Sequence, residues 1–574
     1  MFNNYHSLLN LRFNFYELKS VDNLIKFVLN ERIITLTLQL LLINLLGSIK
    51  NKNMTIQKKA LSIGLLCLFN FSVFSQNSKT NVIFIVCDDL NDYQGAFGGH
   101  PQIKTPNIDK LASSGVRFVN AQSNVPVCSP SRNSFVTGVY PHTSRDFGWT
   151  DLKEQTVLKN NKTFMRFFKD NGYLTLGTGK ITHGNSIDDW DVWGHKLTNN
   201  YGPFYYNGKK NLPNPKVPSP YNSIGPIDGS YGRLSDVEKS NGVIGAPGWV
   251  YGWTKTPFRY VNDDDRDLLQ DELHAQWAVN KLKELENDDS DKPFFMGIGF
   301  VRPHTPLHAP DRYFDMYPID EISLEPWIKN DTEDTFWDAN FGHRKNLKGP
   351  RYYKMLLESY GGDRSLALKH IVQAYMACVT FVDTQIGKLI NALDRSSLKN
   401  NTMVVLTSDH GWHLGEKNQV FKNSPWEESA RIPLILRLPK GPSGKEVSQA
   451  VSLVDLYPTF IDYCNLVGDH KLNNKGGRLG GNSLRPLVEN KKWQGPNGAL
   501  TIVGNVGQKT TVYEQNFSYR TENWRYIRYA KGQEELYDHR NDPYEWHNLA
   551  SEKKFKKTKR KLSDEMQQLI EKYR

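Results

Sequence analysis

The chain has 574 residues, 39% hydrophobic and 23% charged, with 13 Trp, 27 Tyr and 28 Phe. That aromatic content excludes wholesale disorder, and five cysteines in such a length exclude a disulfide-stapled scaffold. The net charge of +11 sits at the ends, +6 in residues 1–79 and +5 in residues 550–574, which leaves residues 80–549 near neutrality and without the basic face of a nucleic-acid binder.

In chain order, an uncharged apolar stretch of 17 residues comes first, Ile33 to Ile49, at the lower limit for spanning a bilayer. From Met54 the order is Lys58-Lys59, an apolar run Ala60–Phe69, then permissive residues before Gln76, which is the layout of a signal peptide. The expectation is a non-structural extension over 1–53 and a signal peptide over 54–75. A periplasmic or secreted protein with no membrane span in the mature chain would follow. Export opens the way to a Cys378–Cys464 disulfide, which spacing alone does not decide.

Four apolar runs then each feed a polar cluster. Asn81–Cys87 leads into Asp88-Asp89, and Tyr173–Gly177 into Lys180 and His183. Phe294–Val301 leads into Arg302, His304 and His308, and Thr402–Leu406 into Asp409-His410. Continuous runs of this kind fit strands buried on both faces. Helical patterns between them, opened by Pro106 and spanning 367–393, predict an α/β domain over 80–470 with a mainly parallel sheet sandwiched by helices. Ligands bind such sheets beyond the carboxyl ends of the strands. Residues 195–265, rich in Asn, Gly, Pro and Tyr, read as lids or substrate walls. Glycines at 476–481 mark a boundary before a smaller α+β subdomain over 480–574, closed by a helix with Leu562, Met566, Leu569, Ile570 and Tyr573 on one face.

Adjacent Asp88 and Asp89 would repel each other at a buried strand end, and a hard divalent cation, shared with Asp409, would relieve them. A turn cap is the simpler alternative for such a pair. Cys128-Ser-Pro-Ser-Arg132, with Thr137-Gly138 behind it, is more specific, because it resembles the signature of the type I sulfatases of the alkaline phosphatase superfamily. The resemblance runs from residue 81 to about 550 and includes Thr105-Pro-Asn-Ile-Asp109, Gly179-Lys180, Ser408-Asp-His-Gly411 and Glu535-Leu-Tyr-Asp538. Asp409-His-Gly-Trp-His-Leu-Gly-Glu416 and the spacing from Lys180 to His183 are most similar to the iduronate-2-sulfatase branch.

The resemblance implies an alkaline-phosphatase-like fold and hydrolysis of sulfate esters on a polysaccharide or its oligosaccharides, of uronate-2-sulfate or algal ulvan type. It implies oxidation of Cys128 to Cα-formylglycine by a formylglycine-generating or anaerobic maturation enzyme. It further implies one Ca2+ held by Asp88, Asp89, residue 128, Asp409 and His410. Arg132 would brace that centre, and Lys180 and Lys422 would bind sulfate oxygens. His304 would protonate the leaving sugar oxygen and His183 would act as base when the sulfated enzyme breaks down. His142, Arg145, Trp149 and His308 are candidate substrate-pocket residues, with Arg145 suited to a sugar carboxylate. Two other readings stay open: a phosphodiesterase or phosphonate monoester hydrolase on the same fold, and a glycan-binding homologue without activity.

Overall fold

The computed structural model describes residues 79–574 apart from 185, 196–200, 239–241, 289, 291, 342–346 and 505–510. The expected extension and signal peptide lie outside the described residues. Residues Lys79–Arg574 form one compact unit.

Its centre is an eight-stranded sheet. In chain order the strands are β1 (Asn81–Asp88), β2 (Val116–Phe118), β3 (Leu174–Gly179), β4 (Val192–Trp193), β5 (Phe294–Pro303), β6 (Thr402–Ser408), β7 (Leu434–Arg437) and β8 (Lys445–Val447). They lie in the order β8-β2-β7-β6-β1-β5-β3-β4, and only β7 runs against the rest. The mainly parallel sheet expected from the apolar runs is therefore present.

The alternation along β1 explains why that strand carries no polar residue between its first position and its end. Ile83, Ile85 and Cys87 face one core and Val82, Phe84 and Val86 the other, so both faces are dry. The first core is covered by α1 (Pro106–Ser113), α4 (Gln270–Glu286) and the long α5 (Arg364–Arg395). The second is covered by α2 (Cys128–Thr137), α3 (Phe164–Asp170) and the helix Leu456–Cys464. Among the described residues α5 alone is long and apolar enough to cross a membrane, and it is the buried core helix of this layer.

Cys378 belongs to the first core and Cys464 to the second, and all four described cysteines are free. The sheet lies between the two thiols, so the disulfide left open by the sequence does not form.

The C-terminal part has its own antiparallel sheet of β9 (Ala499–Val503), β10 (Asn516–Arg520), β11 (Trp524–Arg528) and β12 (Glu534–Asp538). One face packs on the final helix α6 (Lys556–Tyr573) through Leu562, Met566, Leu569 and Ile570. The other packs on Trp337, Phe341 and Trp426, bringing this sheet against the loop that carries Lys422.

Candidate active site

The site lies where β1, β6, β5 and β3 end. Register places Cys87 opposite Ser408 of β6, Asp88 opposite Pro303 of β5, and Gly299 of β5 opposite Gly179 of β3. The chain crosses itself closely there. A Cβ on Gly179, whose φ is +76°, would sit 2.0 Å from the Gly299 carbonyl oxygen, so only glycine lets Lys180 turn inward. Asp89 itself takes a left-handed backbone, φ 64°, uncommon for a side-chain-bearing residue. Its carbonyl accepts from the Tyr375 hydroxyl at 2.7 Å, while its N–H donates to Asp409 Oδ1 at 3.2 Å. Segments 320 residues apart thus fix one turn.

Cys128 opens α2, a helix all of whose residues are buried, with its Sγ at the positive end of the helix dipole. Lys422 Nζ donates to that Sγ at 2.9 Å and to Asp89 Oδ1 at 2.6 Å. His410 Nε2 lies 3.2 Å from the same sulfur. Burial pushes the Cys128 thiol up and the Asp88 charge adds to it, against Lys180 and Lys422, so the sulfur is a neutral thiol rather than a ready thiolate. Arg132, fully buried, joins the carboxylates: Nε donates to Asp409 Oδ2 at 2.9 Å and Nη2 to Asp88 Oδ1 at 3.2 Å. Lys180 Nζ pairs with Asp88 Oδ2.

The donor set fits a cation. Asp88, Asp89, Cys128 and His410 each offer a ligand atom, all within 4.8 Å of one another. His410 Nδ1 faces the Gly411 carbonyl at 3.0 Å, so it carries the proton and the Nε2 lone pair points inward. That lone pair lies 3.4 Å from Asp89 Oδ1 and 3.6 Å from Asp409 Oδ2, a repulsive arrangement that a cation would reverse. Asp89 Oδ2 is buried without a hydrogen-bond partner. Burial raises the Asp89 carboxyl well above its usual range despite Lys422 and His410. In Asp88, burial is overcome by Lys180, His304 and Arg132, which hold it well below. Two adjacent carboxyls driven apart in this way are a site for positive charge. Asp409 is tied to Arg132 and to the N–H groups of Asp89 and His410, so it braces the cluster as much as it could ligate.

His304 stands on the other side, Nε2 3.7 Å from Asp89 Oδ2 and Nδ1 2.5 Å from the Thr305 carbonyl. Thr305 fixes the proton on Nδ1 and leaves Nε2 facing the site. Burial first, then Lys422, lowers its pKa well below the ordinary histidine value. The His183 ring lies tilted against that of Trp149, centroids 5.0 Å apart, and burial with Lys180 beside it lowers it to about 4.

The pocket residues expected from sequence divide. Trp149 is half exposed and reaches the site through His183. Arg145 is exposed in a left-handed turn. His142 is buried beside Tyr140, and burial, with Arg478, lowers it to about 3, so it is a core residue rather than a pocket one. His308 is also corrected: it is fully buried, its ring nitrogens 2.9 Å from Ser230 Oγ and 3.0 Å from the Pro203 carbonyl, its ring edge-on to Trp249. With both nitrogens occupied it organises the wall behind Arg302. Sequence reasoning misses Tyr201, whose ring lies 4.7 Å from Lys180 Nζ and 4.7 Å from the His304 ring. Its only signal is membership of the Tyr-rich wall segment. Asp271 is missed as well. It accepts from the N–H groups of Val301 and Arg302 at 2.8 Å each and sets the turn before His304.

Lys422 is delivered by a loop that the C-terminal sheet grips. Lys417, Asn418 and Asn423 all have positive φ. Trp426 Nε1 donates to Glu535 Oε2 at 3.1 Å, Arg525 Nη1 donates to the Pro425 carbonyl at 3.1 Å, and the Glu427 N–H donates to Glu545 Oε2 at 3.0 Å.

Comparison with known proteins agrees with this geometry. The sulfatase family model matches residues 80–466, and a model described as N-sulphoglucosamine sulphohydrolase, C-terminal, matches residues 415–572. A sulfatase of Formosa agariphila is 31% identical over 483 residues, covering 83% of this chain and 84% of that protein. Iduronate 2-sulfatase of Mus musculus is 28% identical over 442 residues, covering 71% and 73%. The crystal structure of a phosphonate monoester hydrolase of Agrobacterium radiobacter superposes with a TM-score of 0.61 at 21% identity, covering 86% of this chain and 96% of that one, a likeness of fold. Clustered carboxylates, a cysteine at a helix start with its Pro-Ser-Arg continuation, and a family match over most of the chain converge on one conclusion: the chain belongs to the type I sulfatases of the alkaline phosphatase superfamily and is a sulfuric ester hydrolase.

Proposed function

We propose that this chain is an exported, calcium-dependent sulfatase that removes sulfate from a uronate-containing polysaccharide or its oligosaccharides, after Cys128 is oxidised to Cα-formylglycine. One arrangement carries the reading: a neutral, buried thiol at a helix start, set among Lys422, His410 and the Asp88–Asp89 pair. A neutral thiol is a poor nucleophile, and a sulfur ester of sulfate would have no easy exit. The hydrated aldehyde would supply one hydroxyl for attack on sulfur and a second whose ionisation releases sulfate. Asp88, Asp89, Asp409 and His410 would hold the calcium ion, which screens the negative charge gathered on the site and favours ionisation of the attacking hydroxyl.

The chain's own groups do the rest. Lys180 and Lys422, both buried, present cations to the sulfate oxygens, where neutralisation is worth most in a water-poor site. Arg132 keeps Asp88 and Asp409 from separating. His304 Nε2 delivers a proton to the leaving sugar oxygen. Its lowered pKa means that it must first gain that proton, and a bound sulfate anion raises its affinity for one. His183, low in pKa and so neutral, is available as a base.

The test is made on protein co-expressed with a formylglycine-generating enzyme. The peptide carrying residue 128 should show the aldehyde mass, and sulfate, not phosphonate, should be released from uronate-containing oligosaccharides. Chelation should abolish turnover and calcium should restore it, with metal content followed by elemental analysis; full rate in metal-free protein would remove the ligand assignment. The His304 assignment makes a separate demand. His304→Ala should cost about 10²–10⁴-fold on a sugar sulfate and far less on an activated aryl sulfate, whose leaving group needs no proton. Equal losses on both would transfer the acid role elsewhere.

A further inference from the structure

His304 is held from behind by its neighbour in the chain. Nδ1 faces two oxygens of Thr305, the carbonyl at 2.5 Å and the hydroxyl at 3.5 Å. A carbonyl can only accept, but a hydroxyl can accept or donate, so the direction of the Thr305 hydroxyl matters. Asp228 decides it. Thr305 Oγ1 donates to Asp228 Oδ1 at 3.0 Å, and an ionised carboxylate has no proton to return. The Thr305 proton is thereby committed away from the ring, and a lone pair is left towards Nδ1. Both oxygens then accept, Nδ1 carries the proton, and Nε2 faces the site.

Asp228 is itself tied down. Its Oδ2 accepts from Lys348 Nζ at 2.8 Å and from the Tyr352 hydroxyl at 2.9 Å, both on the helix Lys348–Ser359. Burial would raise this carboxyl, but Lys348, with Lys422 and Tyr352, holds it below the usual carboxylate range, so it stays an acceptor. The strand after it, Tyr231–Arg233, pairs with Leu307–Ala309 just beyond Thr305, and the Leu307 N–H donates to the Ser230 carbonyl at 3.0 Å. Segments 77 residues apart are thus locked in register around one hydroxyl.

We propose that Asp228 is a positioning residue for the leaving-group acid: through the Thr305 hydroxyl it keeps His304 in the tautomer and orientation that aim Nε2 at the leaving sugar oxygen. This rests on the function proposed above and on the place of His304 in it.

An isosteric change makes the sharpest test. In Asp228→Asn the donors Lys348 and Tyr352 draw the amide oxygen to their side and turn the NH2 group to Thr305. Thr305 must then accept there, and its own proton turns to Nδ1, which favours the wrong tautomer. On formylglycine-bearing protein, kcat for a sugar sulfate should fall about tenfold, a fraction of the about 10²–10⁴-fold assigned to His304. KM should hardly change, and an activated aryl sulfate should be turned over as in the parent. Thr305→Val removes the misdirected hydroxyl, while the backbone carbonyl at that position still holds the Nδ1 proton. Added to Asp228→Asn, it should restore most of the loss, whereas a purely structural defect would deepen with a second substitution. Melting temperature checks the fold of each variant.

A second readout needs no turnover. In nitrogen NMR spectra of protein carrying isotope-labelled histidine, the His304 signal is identified by its loss in His304→Gln. It should report a protonated Nδ1 in the parent and shift towards a protonated Nε2 in Asp228→Asn. Equal losses on both sulfates in Asp228→Asn, a double variant no better than it, or an unchanged tautomer would overturn the proposal. If His304→Ala itself failed to separate the two sulfates, the functional reading would fall instead, and the spectra would still decide whether Asp228 sets the ring.

Discussion

Cys128→Ala is expected to lower sulfate release by about 10⁶-fold, the order by which a hydrolase falls when its nucleophile is removed. The chain should stay folded. The position is buried and small, and alanine leaves the start of α2 intact. Removing Sγ withdraws an acceptor from Lys422, but Lys422 keeps Asp89 Oδ1 at 2.6 Å, so no cation is stranded. A stability change of about 1 kcal/mol or less follows. Cys128→Ser separates conversion from chemistry, because a serine hydroxyl has nearly the thiol's shape but lacks the second hydroxyl of a hydrate. In a host that oxidises only cysteine, Cys128→Ser should be as inactive as alanine, and full activity would end the formylglycine reading. Intact-peptide mass and sulfate release measured on one preparation give both answers.

Much of this site is legible in the amino-acid sequence because its residues stand at strand ends. Asp88, Lys180, His304 and Asp409 each follow an apolar run, and a parallel sheet gathers such ends on one edge. The pentapeptide at 128 adds the proposed nucleophile, since its signature is local in the sequence. Roles set by packing are not legible in this way. His308 follows His304 by four residues and looks equally available, yet Ser230 and the Pro203 carbonyl, from a distant wall segment, occupy its ring. His142 follows the catalytic helix in sequence, but the short helical turn Pro141–Ser144 turns it into the core beside Tyr140. Tyr201 sits in a segment without periodicity, and only the fold brings its ring over Lys180. Lys422 is marked in the sequence only by its place after Asp409, whereas the reason it points inward lies a hundred residues later, in the C-terminal sheet.

That dependence sets the last expected result. Arg525 is fully buried on β11 and is bonded on every side: to Glu545 and Glu427 by ion pairs, to the Pro425 carbonyl at 3.1 Å and to Ser518 Oγ at 2.7 Å. Glu427, His539 and Glu545 have the spacing of a metal site, but Arg525 and Arg520 already occupy the carboxylates, so the group is an ion-pair node. Burial opposes ionisation of Glu545, and Arg525, ahead of His539, brings it down to about 2. Arg525→Ala would leave Glu545 with the Glu427 N–H and with His539, a histidine that burial already lowers, and with no guanidinium against its charge. Breaking a buried pair from one side costs about 3–5 kcal/mol, readable by denaturant unfolding at neutral pH. The sign with pH is fixed by the lowered carboxyl. Its contribution is present above a free glutamate's ~4.3 and is lost as pH falls towards 2. The gap between parent and variant should therefore narrow on acidification through that window. Stability is only half of the consequence, because the same guanidinium holds Pro425, three residues after Lys422. Activity per folded molecule, measured well below the melting transition, should fall as well, and Arg525→Lys, which keeps the charge but not the fork, should recover stability more fully than activity. A variant that lost stability yet kept full specific activity would show that the C-terminal sheet supports the fold without placing Lys422.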